Sequence, residues 1–404
     1  MELNLIKIKE AQTNIHGVVR RTPLFFTSTY SDKCGCKIYL KCENKQKTGA
    51  FKLRGAYNKL VCLTEEEKSK GVIASSAGNH AQGVAYAATA FGVKSTIVMP
   101  VTAPQAKVQA TRGYGAEVVQ SGQVFDDAAA KAVELQKETG ATYLHPFNDV
   151  DLMAGQGTIG LEILEDLPEA DIILVPIGGG GLISGIATAV KSLKPEIRVI
   201  GIQPEVIAST KASLEKNEIV TLPGVKSLAD GISVATPGSL CFEYIKKYVD
   251  EVVTVTENEI ANAMFNLMER NKLVTEGSGA APMAALLAGK ISGVKGKNVV
   301  ALVSGGNVDI ATAAKIIERE LVLQDRRIRF QVELADKVGQ LGTLISEISR
   351  LGGNVVTARQ DNNWNEKGLD YANVNFEVTA ESPEHGKSLI NELISKGYNI
   401  QIIK

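Results

Sequence analysis

Asp171-Ile172-Ile173-Leu174-Val175-Pro176-Ile177-Gly178-Gly179-Gly180-Gly181 is the stretch that decides the fold. Its apolar run is short and shows no polar alternation, which predicts a strand covered on both faces. Four glycines follow, and Ile183 to Lys191 then predicts a helix. Strand, glycine turn and helix form the repeating unit of a parallel sheet. At such a turn the helix N-terminus offers unpaired N–H groups and a positive dipole end, which suits an anion.

The same unit recurs on both sides. Upstream, Val72-Ile73-Ala74 predicts a strand, Ser75-Ser76-Ala77-Gly78-Asn79-His80 a turn and Ala81 to Phe91 a helix. Ser95 to Met99 is a further strand, and Pro104 opens the next helix, where its missing N–H costs nothing. Ala116 to Val119 and Thr142 to Leu144 are strands on either side of a helix from Asp126 to Thr139. Downstream, a helix is expected after Gly157, with strands at Arg198–Ile202, Glu251–Val255 and Asn298–Val303. The last of these runs into Ser304-Gly305-Gly306-Asn307. Before all of this, residues 1 to 22 predict one amphipathic helix, Lys37–Cys42 a strand and Leu53–Leu63 a helix.

Past Arg327 the character changes. Strands at Ile328–Leu334, Val355–Gln360, Ala372–Val378 and Tyr398–Ile403 are separated by helices at Leu341–Leu351 and Glu384–Lys396. That order, β-α-β-β-α-β, is the ferredoxin-like module. The expected division is therefore a parallel-sheet domain over 1–322 and a ferredoxin-like domain over 327–404.

Composition narrows the function. With 44 basic and 45 acidic residues there is no charge excess for a nucleic-acid partner. No apolar run reaches spanning length, and the first residues lack the pattern of a secretory leader, so a cytoplasmic protein is expected. The five cysteines are odd in number in a long chain, which predicts reduced thiols. Cys34-Gly35-Cys36 with Cys42 has no second pair and no nearby histidine to complete a metal site.

Four features carry chemistry. The glycine turn matches the dinucleotide fingerprint only loosely: with Gly179 and Gly181 as its first two glycines, the third falls on Ser184, and only the relaxed form ends at Gly185. A bare phosphate suits Gly178, Gly179, Gly180 and Gly181 better, the alternative being a tight turn with no ligand. The turn from Ser75 to His80 suits a carboxylate, the alternative being a helix cap by Ser76. Ser304-Gly305-Gly306-Asn307 stands at the carboxyl end of a strand, where parallel sheets bind ligands. Lys52 lies among small and apolar residues in Lys47-Thr48-Gly49-Ala50-Phe51-Lys52-Leu53-Arg54-Gly55. Desolvation there would lower its pKa and make the neutral amine a nucleophile or base. A phosphate cradle, a carboxylate cradle and such a lysine together describe a pyridoxal phosphate enzyme acting on an amino acid.

On these motifs, and on Ala154-Gly155-Gln156-Gly157-Thr158, the chain resembles the fold-type II pyridoxal phosphate enzymes. Within them it is most similar, over essentially its whole length, to threonine dehydratases with a C-terminal ACT domain. The resemblance implies a two-lobed, tryptophan synthase β-like α/β catalytic domain, with a small lobe of roughly 53–150 inserted in the large one. It implies a Schiff base on Lys52 beside Phe51, phosphate on Gly178 to Gly181 and Leu182, Asn79 on the phenolic oxygen and Ser304 on the pyridine nitrogen. Ser76, Ala77, Gly78, Asn79 and His80 would hold the substrate carboxylate. The implied reaction is dehydration and deamination of L-threonine to 2-oxobutanoate and ammonia, with L-serine giving pyruvate.

Departures from the family pattern refine this. Similar serine racemases carry a second serine where Ala77 stands, which favours dehydration over racemisation. A divalent-metal site of some relatives needs acids at Gln203 and near Ser209, so no metal is expected there. Val338, Gly339, Gln340 and Leu341 mark the loop where ACT domains bind an amino acid, although Val338 replaces the usual proline. The effector would be an amino acid or a nucleotide, and the module alternatively serves oligomerisation alone. The kin imply a homodimer or homotetramer. The competing readings are a serine racemase or serine dehydratase, and a non-catalytic amino-acid sensor.

Overall fold

The computed structural model describes residues 2–361 and 370–403. The chain divides into two compact units, Met1–Val308 and Asp309–Lys404.

Two parallel sheets build the first unit. The larger has six strands in the order Leu24–Phe26, Lys37–Cys42, Asn298–Val303, Ile172–Pro176, Arg198–Pro204, Glu251–Val255. Only the edge strand Leu24–Phe26 runs antiparallel to its neighbour. Ile172–Pro176 is buried along its whole length, as its unbroken apolar run requires. The smaller sheet, all parallel, has the order Glu117–Gln120, Ser95–Met99, Val72–Ser75, Thr142–Tyr143. Every strand of the smaller sheet lies in sequence between two strands of the larger one.

Three helices meet on glycines and fix the machinery between the sheets. A Cβ on Gly155 would lie 2.5 Å from the Arg54 carbonyl oxygen, and one on Gly185 would lie 2.2 Å from that of Met153. Helices Lys52–Cys62, Val150–Asp166 and Gly181–Leu193 therefore approach backbone to backbone. The Ala154–Thr158 motif lies inside its helix rather than ahead of it. Asp149 caps that helix by accepting from the Asp151 and Leu152 amides at 2.9 Å each. At the N-terminus the expected long helix spans only Leu5–Ile15, and Gly17 follows with φ +77°. Helix Gly277–Leu287 was not legible, because its glycines and internal Pro282 argue against a helix. Its burial in the core outweighs that weak propensity.

The second unit holds a four-stranded antiparallel sheet ordered Asn354–Asp361, Tyr371–Thr379, Arg327–Ala335, Ile400–Ile402. Alternate residues of the central strands, Phe330, Val332, Phe376 and Val378, are buried with Leu344 and Ile348 of helix Gln340–Arg350 and Leu389 and Leu393 of helix Pro383–Ser395. This is the ferredoxin-like arrangement. Helix Ile310–Leu323 groups with this unit, which therefore starts ahead of the expected 327, and its Glu318 pairs with Arg327.

Candidate cofactor and catalytic site

Lys52 is the first residue of its helix. Its approach is fixed by the neighbouring residues: the Phe51 N–H donates to the Ser304 carbonyl at 3.1 Å, and Ala50 bridges Gly305. Lys52 thus stands over the carboxyl end of Asn298–Val303. Its Nζ donates to the Pro146 carbonyl at 2.5 Å. Burial pushes the ammonium down to about 8, more than the negative fields of Cys241 and Glu276 raise it. A carbonyl gives the amine a hydrogen-bond acceptor without a counter-charge.

Beneath this point the helix is anchored by a buried charge cluster. Arg54 donates to Glu43 Oε1 at 2.8 Å and Oε2 at 2.9 Å, and to Glu162 Oε1 at 2.7 Å. Lys41 Nζ completes it with Glu162 Oε2 at 2.6 Å. Two cations and two carboxylates balance, which burial of such groups demands.

The glycine turn leads into helix Gly181–Leu193, and Gly180 adopts φ +100°, which suits glycine. A Cβ on Gly179 would meet the Phe147 ring at 2.4 Å, one on Gly181 the Phe147 carbonyl oxygen at 2.7 Å and one on Gly180 the Cys241 Cβ at 2.8 Å. Phe147 follows Pro146, so two adjacent residues link the Lys52 amine to the glycine turn. Leu182 belongs to an apolar cluster against which Phe51 packs.

The second turn is organised differently. Ser76 Oγ accepts from the Gly78 N–H at 3.2 Å and does not cap the helix, which begins at Asn79 behind Gly78. The first-turn amides of that helix have no intrahelical acceptor. His80 is turned away: it is buried, its Nε2 lies 2.9 Å from the Leu144 carbonyl, and burial with the Lys52 charge pushes it down to about 3. Asn79 is held at both amide atoms. Its Nδ2 donates to Glu276 Oε1 at 2.7 Å, and its Oδ1 accepts from Asn307 Nδ2 at 2.6 Å. Asn307 also donates to the Thr48 carbonyl at 3.0 Å. Ala77 packs against the apolar core of the smaller sheet.

Glu276 escaped the sequence reading. It precedes helix Gly277–Leu287, is buried, and burial raises its carboxyl to about 7, with Asp230 adding to the effect. Only Glu276-Gly277-Ser278-Gly279 ahead of an alanine-rich run could have signalled another turn of this kind. Two predicted positions serve the backbone: Gln203 Oε1 accepts from the Lys211 N–H at 3.0 Å, and Ser209 Oγ donates to the Val234 carbonyl at 2.7 Å. Val338, Gly339, Gln340 and Leu341 lie in the second unit, at and just before the start of helix Gln340–Arg350, with Val338 fully exposed.

These residues fit pyridoxal phosphate. Among the described residues the amine has no ion-pair partner, the glycine turn can present only backbone, Asn79 is fixed in orientation, and Ser304 is buried at a strand end. Ser278 Oγ, beside Glu276, is buried with no protein partner. A family model described as pyridoxal-phosphate dependent enzyme matches residues 15–305, and the chain belongs to that family. The chain is 47% identical over 401 residues to the L-threonine ammonia-lyase of Thermotoga maritima, covering 99% of this chain and 100% of that protein. A solved threonine deaminase isoform 2 of Solanum lycopersicum superposes with a TM-score of 0.75 at 39% identity, over 78% of this chain and 86% of that one. A maize serine racemase also superposes at 0.75, with 38% identity over 80% and 98% of the two chains.

Proposed function

We propose that this protein is a threonine ammonia-lyase that eliminates water from L-threonine, and also from L-serine. The products are 2-oxobutanoate, or pyruvate, and ammonia. The observation that carries the reading is the Lys52 amine, held on the Pro146 carbonyl and pushed down to about 8. Near-full-length identity to a lyase of that name supports the substrate.

Bound pyridoxal phosphate supplies the electron sink that acidifies the substrate's α-hydrogen. Lys52, Asn79, Ser304 and Gly178 to Gly181 would hold it. The protein's part is then positional and protolytic. The first-turn amides after Gly78, with Ser76, bind the substrate carboxylate. Neutral Lys52 takes the α-proton as general base. The β-hydroxyl leaves as water, taking up a proton equivalent to the one Lys52 removes from the α-carbon, and the released enamine is hydrolysed by water to the oxo acid and ammonia. Ala77 offers no proton carrier, which supports elimination over racemisation.

The second unit, as an ACT-type module, would bind an amino-acid effector around Val338–Leu341. Its support is the ferredoxin-like sheet and the exposed loop ahead of a helix N-terminus.

Purified protein mixed with L-threonine should release 2-oxo acid, with a rate that rises toward pH 8 as Lys52 deprotonates. Lys52→Ala should abolish release. No oxo acid from either threonine or serine would overturn the reading.

A further inference from the structure

His145 lies one residue before the carbonyl that receives the Lys52 amine, and nothing in the chemistry above uses it. Its Nδ1 accepts from two consecutive backbone N–H groups, Phe147 at 3.2 Å and Asn148 at 2.9 Å. An atom that accepts two amides carries no proton of its own. Burial and the nearby Lys52 charge agree, holding the imidazole below its ordinary value, while Asp149 pulls weakly the other way. The ring also packs edge-on to Phe147, with centroids 4.6 Å apart at 85°.

The segment so folded does two things at once. Pro146 offers its carbonyl to Lys52. Phe147 fills the space beside Gly179 and Gly181, and its carbonyl accepts from Cys241 Sγ at 3.3 Å. Asn148 Oδ1 then accepts from the Leu240 N–H at 2.9 Å, tying the far end to the larger lobe. A loop bent this tightly turns two amides inward, and His145 provides the acceptor that satisfies both.

We propose that His145 is a positioning residue: by accepting from the Phe147 and Asn148 amides it aims the Pro146 carbonyl at Lys52 and seats Phe147 against the glycine turn. The proposal rests on Lys52 being the catalytic base. It assigns His145 no proton transfer and no contact with substrate.

The test compares holoenzyme of the natural chain with His145→Leu and His145→Asn. Asparagine places its Oδ1 where Nδ1 stands and can accept the same amides, as in an Asx turn. Leucine keeps bulk and loses the acceptor. With His145→Leu, kcat on L-threonine should fall about ten-fold, a modest loss for a misplaced reacting group. KM should stay within about two-fold, and dialysis should strip pyridoxal phosphate faster, read by its absorbance. His145→Asn should recover kcat to within about three-fold and restore cofactor retention. Equal behaviour of the two variants, whether both impaired or both normal, would overturn the proposal. Should the natural chain make no oxo acid, cofactor retention alone decides: a difference between the variants upholds the positioning role, and no difference overturns it.

Discussion

Two strand-to-helix turns face the site, and they are built on opposite principles. At Gly178–Gly181, side chains or backbone from elsewhere close on every glycine, and a Cβ on any of Gly179, Gly180 or Gly181 would lie within 3.0 Å of a neighbour. At Ser76–Asn79, a Cβ on Gly78 would meet nothing within 4 Å. The first turn offers only backbone and is sealed by Phe147 and Cys241. The second carries polar side chains and opens to one side. A sealed turn suits a group that stays, and an open one suits a molecule that enters and leaves with each turnover.

The largest test of this contrast is Gly179→Ala. The added methyl must displace the Phe147 ring, and overpacking of this kind costs about 1–3 kcal/mol. If that cost falls on the cofactor site, affinity for pyridoxal phosphate should drop about 10- to 100-fold. Cofactor absorbance after dialysis against known concentrations measures it. Unchanged affinity would mean that the turn does not carry the phosphate.

An intermediate effect is expected at Glu276, which backs the open turn through Asn79. Its carboxyl is raised to about 7 from an ordinary 4.5, so the folded state keeps a proton that the unfolded chain releases between those values. The resulting stability is fully present below about 4.5 and is lost as pH rises through 7. Glu276→Gln keeps an acceptor for Asn79 and removes the titration. Its stability relative to the natural chain should therefore grow between pH 5 and 7, by at most about 1.4 kcal/mol per pH unit. Urea unfolding at both pH values reads this, and parallel curves would refute it.

How much of this the sequence showed follows the distance over which each part is assembled. Lys52, the glycine turn and the Ser76–Asn79 turn were legible because local neighbours specify them: small residues, glycines and a strand just before. The partners that set their behaviour were not. Asn79 meets Glu276 across 197 residues, and Lys52 meets Pro146 across 94. No local pattern announces a carbonyl that a distant lysine will find. The Ala154–Thr158 motif is legible but lies elsewhere than expected, since its glycines serve helix-to-helix contact and not a turn. The ferredoxin-like unit was read nearly whole, because its two central strands alternate buried with less buried residues.

The smallest effect is expected where the contrast is sharpest. Gly78→Ala adds the same methyl group as Gly179→Ala, at the same kind of turn, in the same chain. The space there is open and φ is −131°, a value that any residue adopts. With no neighbour to displace, the change should resemble a surface substitution, within about 0.5 kcal/mol. Pyridoxal phosphate should be retained as in the natural chain, whereas KM for L-threonine should rise, because the methyl enters the open side of the turn that receives the substrate carboxylate. Loss of cofactor in Gly78→Ala, matching that in Gly179→Ala, would show that both turns hold the resident group. The substrate carboxylate would then have to be bound elsewhere.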